Sequence, residues 1–252
     1  METRSAVGLL PLIAVEVLEQ LTLEKLPGFY RRFRWFMEHR PDLARNITEG
    51  ATSNDLILLA IPARDQLEHV LRYMLDESEF FSPHGLRSVS KFHEKNPCIF
   101  NAGGGEYRVD YEPAESTTGL FGGNSNWRGP VWFPINFLLL EALERYDHFY
   151  GDSLRVECPT GSGHMMNLRQ VALELSTRLA GIFLPDANGR RPCNGDDPRF
   201  ATDPHWRDLV LFNEYFHGDT GRGLGASHQT GWTALAMRCI ADVARERGKN
   251  SS

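Results

Sequence analysis

The chain lacks the marks of several broad protein classes. Its 252 residues hold only four cysteines, Cys98, Cys158, Cys193 and Cys239, widely spaced and without a C-x-x-C pair. That spacing speaks against a disulfide framework and for buried thiols in a reducing compartment, so a cytoplasmic location is expected. Long apolar runs are missing too. The uncharged stretch Ser5 to Val15 has roughly half of the ~20 residues a spanning helix requires, and Pro11 interrupts it. Met1-Glu2-Thr3-Arg4 is not the basic start of a signal peptide, and outside a secretory context the sequons at Asn46 and Asn250 carry no weight. Positive charge is not in surplus: Lys and Arg number 27 against 33 Asp and Glu, for a formal net charge of -6. No nucleic-acid partner and no membrane are therefore expected.

The usual signatures of cofactors and metals are also absent. Gly221, Gly223 and Gly225 invite a phosphate-loop reading, but no strand-like run precedes them and no G-K-[ST] follows. Gly161-Ser162-Gly163 does not complete G-x-S-x-G. The nine histidines show no zinc spacing, and His217 and His228, which bracket a glycine-rich loop, read as hydrogen bonders rather than ligands. No cofactor and no metal is expected.

What is present is mostly helical periodicity. Ala6 to Leu21 is apolar on nearly every face and reads as a buried helix. Pro27 suits a first helical position, with Phe29, Phe33 and Phe36 on one face up to His39. Further helices are expected over Arg64 to Asp76, Pro134 to Tyr150 (stopped by Gly151), onward from an Asn167/Gln170 capping box, and from about Gln229 to Arg247. Strand-like alternation is weak, with Tyr107 to Tyr111 the best candidate. Between the helices lie long polar or glycine-rich segments, and loops longer than about 15 residues are usually functional.

Two of these segments carry chemistry. In Gly122-Gly123-Asn124-Ser125-Asn126-Trp127-Arg128-Gly129-Pro130-Val131-Trp132, two tryptophans flank an arginine just before a helix. Indole faces stack on sugar C–H surfaces and a guanidinium offers forked donors to hydroxyls, although a structural turn would use the same residues. In the second, Glu214 ends an apolar stretch and precedes aromatics, a glycine-rich loop and Gln229-Thr230-Gly231-Trp232. A carboxylate so placed can activate water, or can simply be a solvated glutamate. Asp110, Glu112 and Glu115 form an acidic segment upstream, and Ser82 to Ser88 is a turn whose Arg87 is a candidate for the same rim.

Taken together, Arg4-Ser5-Ala6-Val7-Gly8-Leu9-Leu10-Pro11-Leu12, Glu112-Pro113-Ala114-Glu115-Ser116, Asn126 with the W-R-G-P-x-W string at Trp127 to Trp132, Cys158-Pro159-Thr160-Gly161-Ser162-Gly163, Glu214-Tyr215-Phe216-His217-Gly218-Asp219 and Gly225-Ala226-Ser227-His228-Gln229-Thr230-Gly231-Trp232 resemble the C-terminal part of glycoside hydrolase family 63, in its mannosyl-oligosaccharide glucosidase-like and mannosylglycerate/glucosylglycerate hydrolase branch. The resemblance implies an all-α (α/α)6 toroid, of which residues 1–252 would be a single C-terminal portion with about seven helices. It implies an inverting hydrolase of an α-glucoside or α-mannoside, in which an acid protonates the leaving oxygen and a second carboxylate activates water. Carried over, Glu214 matches the general base, Trp127 and Trp132 the walls of the sugar subsite, Gln229 a polar substrate contact, and Arg128 a brace or sugar contact. The family's general acid is an aspartate ahead of the Arg4-Ser5 segment, so the acid is expected to be missing here. Asp110 and Glu115 are the only nearby carboxylates that could substitute for it, and neither is expected to. A carbohydrate is the expected ligand, self-association through an exposed half-toroid surface is expected, and the alternative is a non-catalytic carbohydrate-binding fragment.

Overall fold

The structure, a computed structural model, describes residues 3–44, 47–49 and 56–249. Asn46 and Asn250 lie outside the described residues. Ala6–Gly8 and Leu10–Ile13 form 3-10 turns, followed by strand β1 (Val15–Glu19). One buried helix over Ala6 to Leu21 is therefore not formed. Pro11 removes a backbone donor, and the β-branched Ile13, Val15 and Val17 favour extended chain. Helices α1 (Gln20–Glu24), α2 (Pro27–His39) and α3 (Pro41–Ala44) follow. Strands β2 (Ile47–Glu49) and β3 (Leu56–Ala60) complete an antiparallel sheet of order β1-β3-β2, with Val15 opposite Ala60 and Ile47 opposite Leu59. Of the expected aromatic face of α2, Phe33 enters a small core with Leu23 and Ile57, while Phe29 is 51% exposed.

Helix α4 (Arg64–Met74) buries Leu67, Leu71 and Met74. Two hairpins come next: β4 (Phe81–Ser82) with β5 (Gly85–Leu86), and β6 (Cys98–Ala102) with β7 (Gly105–Val109). Helix α5 (Phe133–Tyr150) has Pro134 in its first turn and ends at Gly151, whose φ of 49° suits glycine. A hairpin of β8 (Arg155–Glu157) and β9 (Met165–Asn167) leads into α6 (Leu168–Gly181). There Asn167 accepts from the Gln170 N–H at 2.9 Å, and the Gln170 side chain accepts from the Asn167 N–H at 3.0 Å, forming the capping box. After α7 (Arg199–Thr202) come β10 (Tyr215–Phe216) and β11 (Gly223–Leu224), which pair, and then α8 (Thr230–Thr233) and α9 (Ala236–Lys249). The expected last helix is thus broken at Ala234-Leu235.

The architecture is mixed α and β, not a fragment of an all-α (α/α)6 toroid: among the described residues one three-stranded sheet and four hairpins interleave with the helices. Strands of two to five residues leave too little period-2 pattern to read locally. The open half-ring on which the expectation of self-association rests is absent with the toroid. Large exposed apolar side chains are spread along the chain, among them Leu21, Trp35, Phe121, Met165 and Met237.

Helices α4, α5, α6 and α9 contribute to one main core, with α6 packed against both α5 and α9. No helix among the described residues is long and apolar enough to cross a membrane. All four cysteines are free; Cys158, Cys193 and Cys239 are buried, and burial pushes their thiols up to about 12, about 11 and about 12. Among the described residues the Tyr146 hydroxyl, buried in this core, has no hydrogen-bond partner. An orphaned buried hydroxyl costs about 1–3 kcal/mol, so Tyr146→Phe is expected to raise unfolding stability by about 1 kcal/mol in urea titration. A loss of stability would show that the hydroxyl is bonded in solution.

Candidate functional site

The two chemistry-bearing segments, far apart in sequence, are joined by main chain. The Val131 N–H donates to the Phe216 carbonyl at 2.8 Å, and the Phe216 N–H donates back at 2.9 Å. This places the tryptophan loop beside the strand that carries Glu214. The loop can run this way because Gly129 has φ 147°, where an added Cβ would lie 2.8 Å from the Glu112 carbonyl and from the Tyr111 ring. Behind it, Asn136 is buried and its side chain receives the Leu86 N–H at 2.7 Å and donates to the Leu86 carbonyl at 3.0 Å, tying the β4–β5 turn to α5.

Glu214 is half-buried, with its N–H donating to the Ala226 carbonyl at 2.8 Å. Its carboxylate receives Asn126 Nδ2 at 3.4 Å on one oxygen and the Ala226 N–H at 3.5 Å on the other. Trp127 packs edge-on to Trp132 at 5.2 Å between centroids, and Trp132 packs edge-on to Trp232 at 5.8 Å. The Trp232 Nε1–H donates to the Glu214 carbonyl at 3.3 Å. The structure thus brings Trp127, Trp132 and Glu214 into one neighbourhood and adds Asn126 and Trp232. Asn126 and Trp232 stand inside the motif strings, but nothing in their local pattern marks them as neighbours of Glu214. Among the described residues Asn126 Oδ1 and Trp132 Nε1 are buried without a hydrogen-bond partner.

Gln229 is half-buried where α8 begins, its N–H bonded to the Phe212 carbonyl at 2.7 Å. Arg128 is fully buried: Nη2 pairs with Glu112 at 2.8 Å and Nη1 reaches Thr118 Oγ1 at 2.9 Å. Its Nη donors point to Glu112, Ser116 and Thr118, so it braces the tryptophan loop against the upstream 112–118 segment. Of the upstream carboxylates, Asp110 pairs with Arg108 at 2.8 Å. Glu115 lies at the Glu214 rim and accepts hydrogen bonds from Tyr215, Ser125 and Gly225, the pattern of an acceptor rather than a proton donor.

Arg87 is buried rather than at the rim. It donates to Tyr111 at 3.0 Å and to Asp219 at 2.9 Å, and Lys91 reaches the same Asp219 oxygen at 3.1 Å. His217 Nδ1 accepts from the Asp219 N–H at 3.1 Å. Burial holds both His84 and His217 below the usual histidine range. Burial alone would raise the Asp219 carboxyl, but hydrogen bonds from Arg87 and Lys91 outweigh it and hold the group below the usual carboxylate range. A depressed carboxyl stabilises the fold fully above its unfolded value near 4, and that stabilisation is lost as pH falls through the folded value. The stability gap between wild type and Asp219→Asn is therefore expected at pH 7 and should shrink below about pH 4. An equal gap in urea titrations at pH 7 and pH 3 would show that the charge does not anchor this loop.

A cleft of about 690 Å³ opens beside the same loop, lined by His217, Arg222, Arg190, Asn194 and their neighbours, and does not include Glu214. Among the described residues no group of three or more His, Cys, Asp or Glu side chains is placed to hold a metal ion.

A half-buried carboxylate held by neutral donors, with a tryptophan cluster beside its main chain, is compatible with a glycoside hydrolase site. The comparisons agree with that class. Residues 47–233 match the model of the mannosylglycerate hydrolase MGH1-like glycoside hydrolase domain, and the chain belongs to this family. It is 50% identical over 245 residues to Uncharacterized protein YMR196W of Saccharomyces cerevisiae, covering 95% of the chain and 22% of that protein. It is 25% identical over 189 residues to the probable mannosyl-oligosaccharide glucosidase of Schizosaccharomyces pombe, covering 74% of the chain and 17% of that protein. The mannosyl-oligosaccharide glucosidase of Saccharomyces cerevisiae is 25% identical over 176 residues, covering 69% of the chain and 15% of that protein. The chain therefore spans about a fifth or less of the length of these relatives. They support the resemblance to family 63 read from the sequence.

Proposed function

We propose that these residues form the water-activating half of an inverting glycoside hydrolase acting on an α-glucoside or α-mannoside, either an oligosaccharide or a glycosylglycerate. The observation that carries this reading is the half-buried Glu214 carboxylate, held by Asn126 and the Ala226 N–H next to the Trp127–Trp132–Trp232 cluster. In this reading Glu214 takes a proton from a water as that water attacks the anomeric carbon, and the indoles wall the sugar ring. Gln229 contacts the sugar, and Arg128 keeps the tryptophan loop in shape. In this reading none of the residues assigned above is the general acid, and the chain spans about a fifth or less of its relatives.

Losing an acid typically costs ~10²–10⁴-fold, and a sugar alkoxide leaves poorly without a proton. The isolated chain is therefore expected to bind glucose- or mannose-containing oligosaccharides, seen as a change in tryptophan fluorescence, and to show no measurable hydrolysis of them. Rapid turnover of such an oligosaccharide by the purified chain would place a working acid within it and overturn the assignment of roles. Fluorescence indifferent to every sugar tried would remove the sugar subsite.

A further inference from the structure

The upstream carboxylate Glu115 makes three hydrogen bonds with a common logic. It accepts from the Tyr215 hydroxyl, from Ser125 Oγ at 3.4 Å and from the Gly225 N–H at 3.4 Å. Tyr215 follows Glu214 in the chain. Ser125 precedes Asn126, and Gly225 precedes Ala226, the two residues that donate to the Glu214 carboxylate. Each donor to Glu115 is therefore the chain neighbour of Glu214 itself or of a group that holds it.

The Gly225–Ala226 turn receives both acids, one on each of two successive N–H groups. Gly225 has φ 67°, and a Cβ there would lie 2.8 Å from the Tyr215 ring and 2.9 Å from Glu214 Oε2. Successive N–H groups around a residue of positive φ form a small anion-binding concavity, and here it fixes two carboxylates relative to each other. Burial and the hydrogen bond to Glu115 push the Tyr215 hydroxyl up to about 12, so it stays a donor throughout the neutral range.

We propose that Glu115 is the positioning residue of the site: through Tyr215, Ser125 and Gly225 it sets where the Glu214 carboxylate sits. It touches no substrate. Its catalytic consequence rests on the reading of Glu214 as the base, while its structural consequence does not. Positioning acts on the attack of water more than on sugar affinity, and a misplacement of about 1 Å can cost as much as ~10²-fold in rate.

The test uses Glu115→Gln and Tyr215→Phe in the 252-residue chain, singly and together. The first readout is kcat and KM on α-D-glucosyl and α-D-mannosyl fluoride, whose leaving group needs no acid. The second is the Trp232 indole N–H resonance in a ¹H–¹⁵N spectrum, which reports the Glu214 carbonyl to which it donates. Each variant is expected to lower kcat about tenfold or more with KM within about twofold, and the pair to be no worse than the singles, as for residues acting as one unit. Both variants should also shift the Trp232 resonance. An unmoved resonance in Glu115→Gln overturns the proposal, and so does a rise in KM with kcat unchanged, which would make Glu115 a substrate contact. If the wild type shows no Glu214-dependent turnover, the hydrolase reading fails, and the positioning role is decided by the resonance alone. If Glu115→Gln does not fold, Tyr215→Phe alone carries both readouts.

Discussion

Replacing Glu214 by glutamine is expected to lower hydrolysis of α-D-glucosyl or α-D-mannosyl fluoride by ~10²–10⁴-fold while leaving sugar-induced tryptophan fluorescence unchanged. Fluoride departs without protonation, so such a substrate isolates the step proposed for Glu214. The amide keeps the shape of the side chain and its acceptor oxygen toward Asn126 or the Ala226 N–H. It cannot take a proton from water, so attack slows while the indole wall of Trp127, Trp132 and Trp232 still meets the ring. Inversion adds a stereochemical mark: the first sugar released from an α-fluoride should be the β anomer by NMR. Turnover within tenfold of wild type would take Glu214 out of the base role, and an α anomer as first product would rule out inversion.

Arg128→Ala is expected to destabilise the protein by about 3 kcal/mol, read as a lowered urea midpoint with little change in slope. The guanidinium is fully buried, and its partner Glu112 has 13% of its side-chain area exposed. Removing one member of such a pair strands the other charge, which is more damaging than the pair is stabilising. It also leaves Thr118 Oγ1 and Ser116 Oγ without the Nη1 donor. The paired change Arg128→Met with Glu112→Gln should recover much of the loss, because no unpaired charge then remains. A loss under about 1 kcal/mol in Arg128→Ala would show that the loop does not depend on this brace.

The parts of the molecule legible from the sequence are those whose causes are local. Pro27 opens α2, Pro134 and Gly151 bound α5, and Asn167 with Gln170 opens α6, each within a few residues of the signal that announces it. The failures are non-local. Val15–Glu19 looks like more helix until Leu56–Ala60 is beside it, and that pairing is decided across the fold. Hairpins as short as Phe81–Ser82 with Gly85–Leu86 leave almost no alternation to count. These strands, unseen in the helical period, are what turn an expected helical toroid into a mixed fold.

The site divides in the same way. Glu214 and the tryptophans could be singled out because carboxylates and indoles advertise their chemistry. The roles of Asn126 and Glu115 depend on which segments meet, and no spacing within one segment encodes that. Arg87 was visible as a charged residue in a turn, but its burial against Tyr111 and Asp219 follows from the approach of the 217–222 loop.

The reciprocal main-chain bonds between Val131 and Phe216 have a bearing on exchange of parts among relatives. They fasten wall to carboxylate directly, so the intervening 185–207 stretch, which borders the roomy cleft at Arg190 and Asn194, is not what sets that spacing. Exchanging that stretch for the matching one of another family member is expected to leave the Val131–Phe216 pairing, and with it the placing of Trp132 beside Glu214, in register.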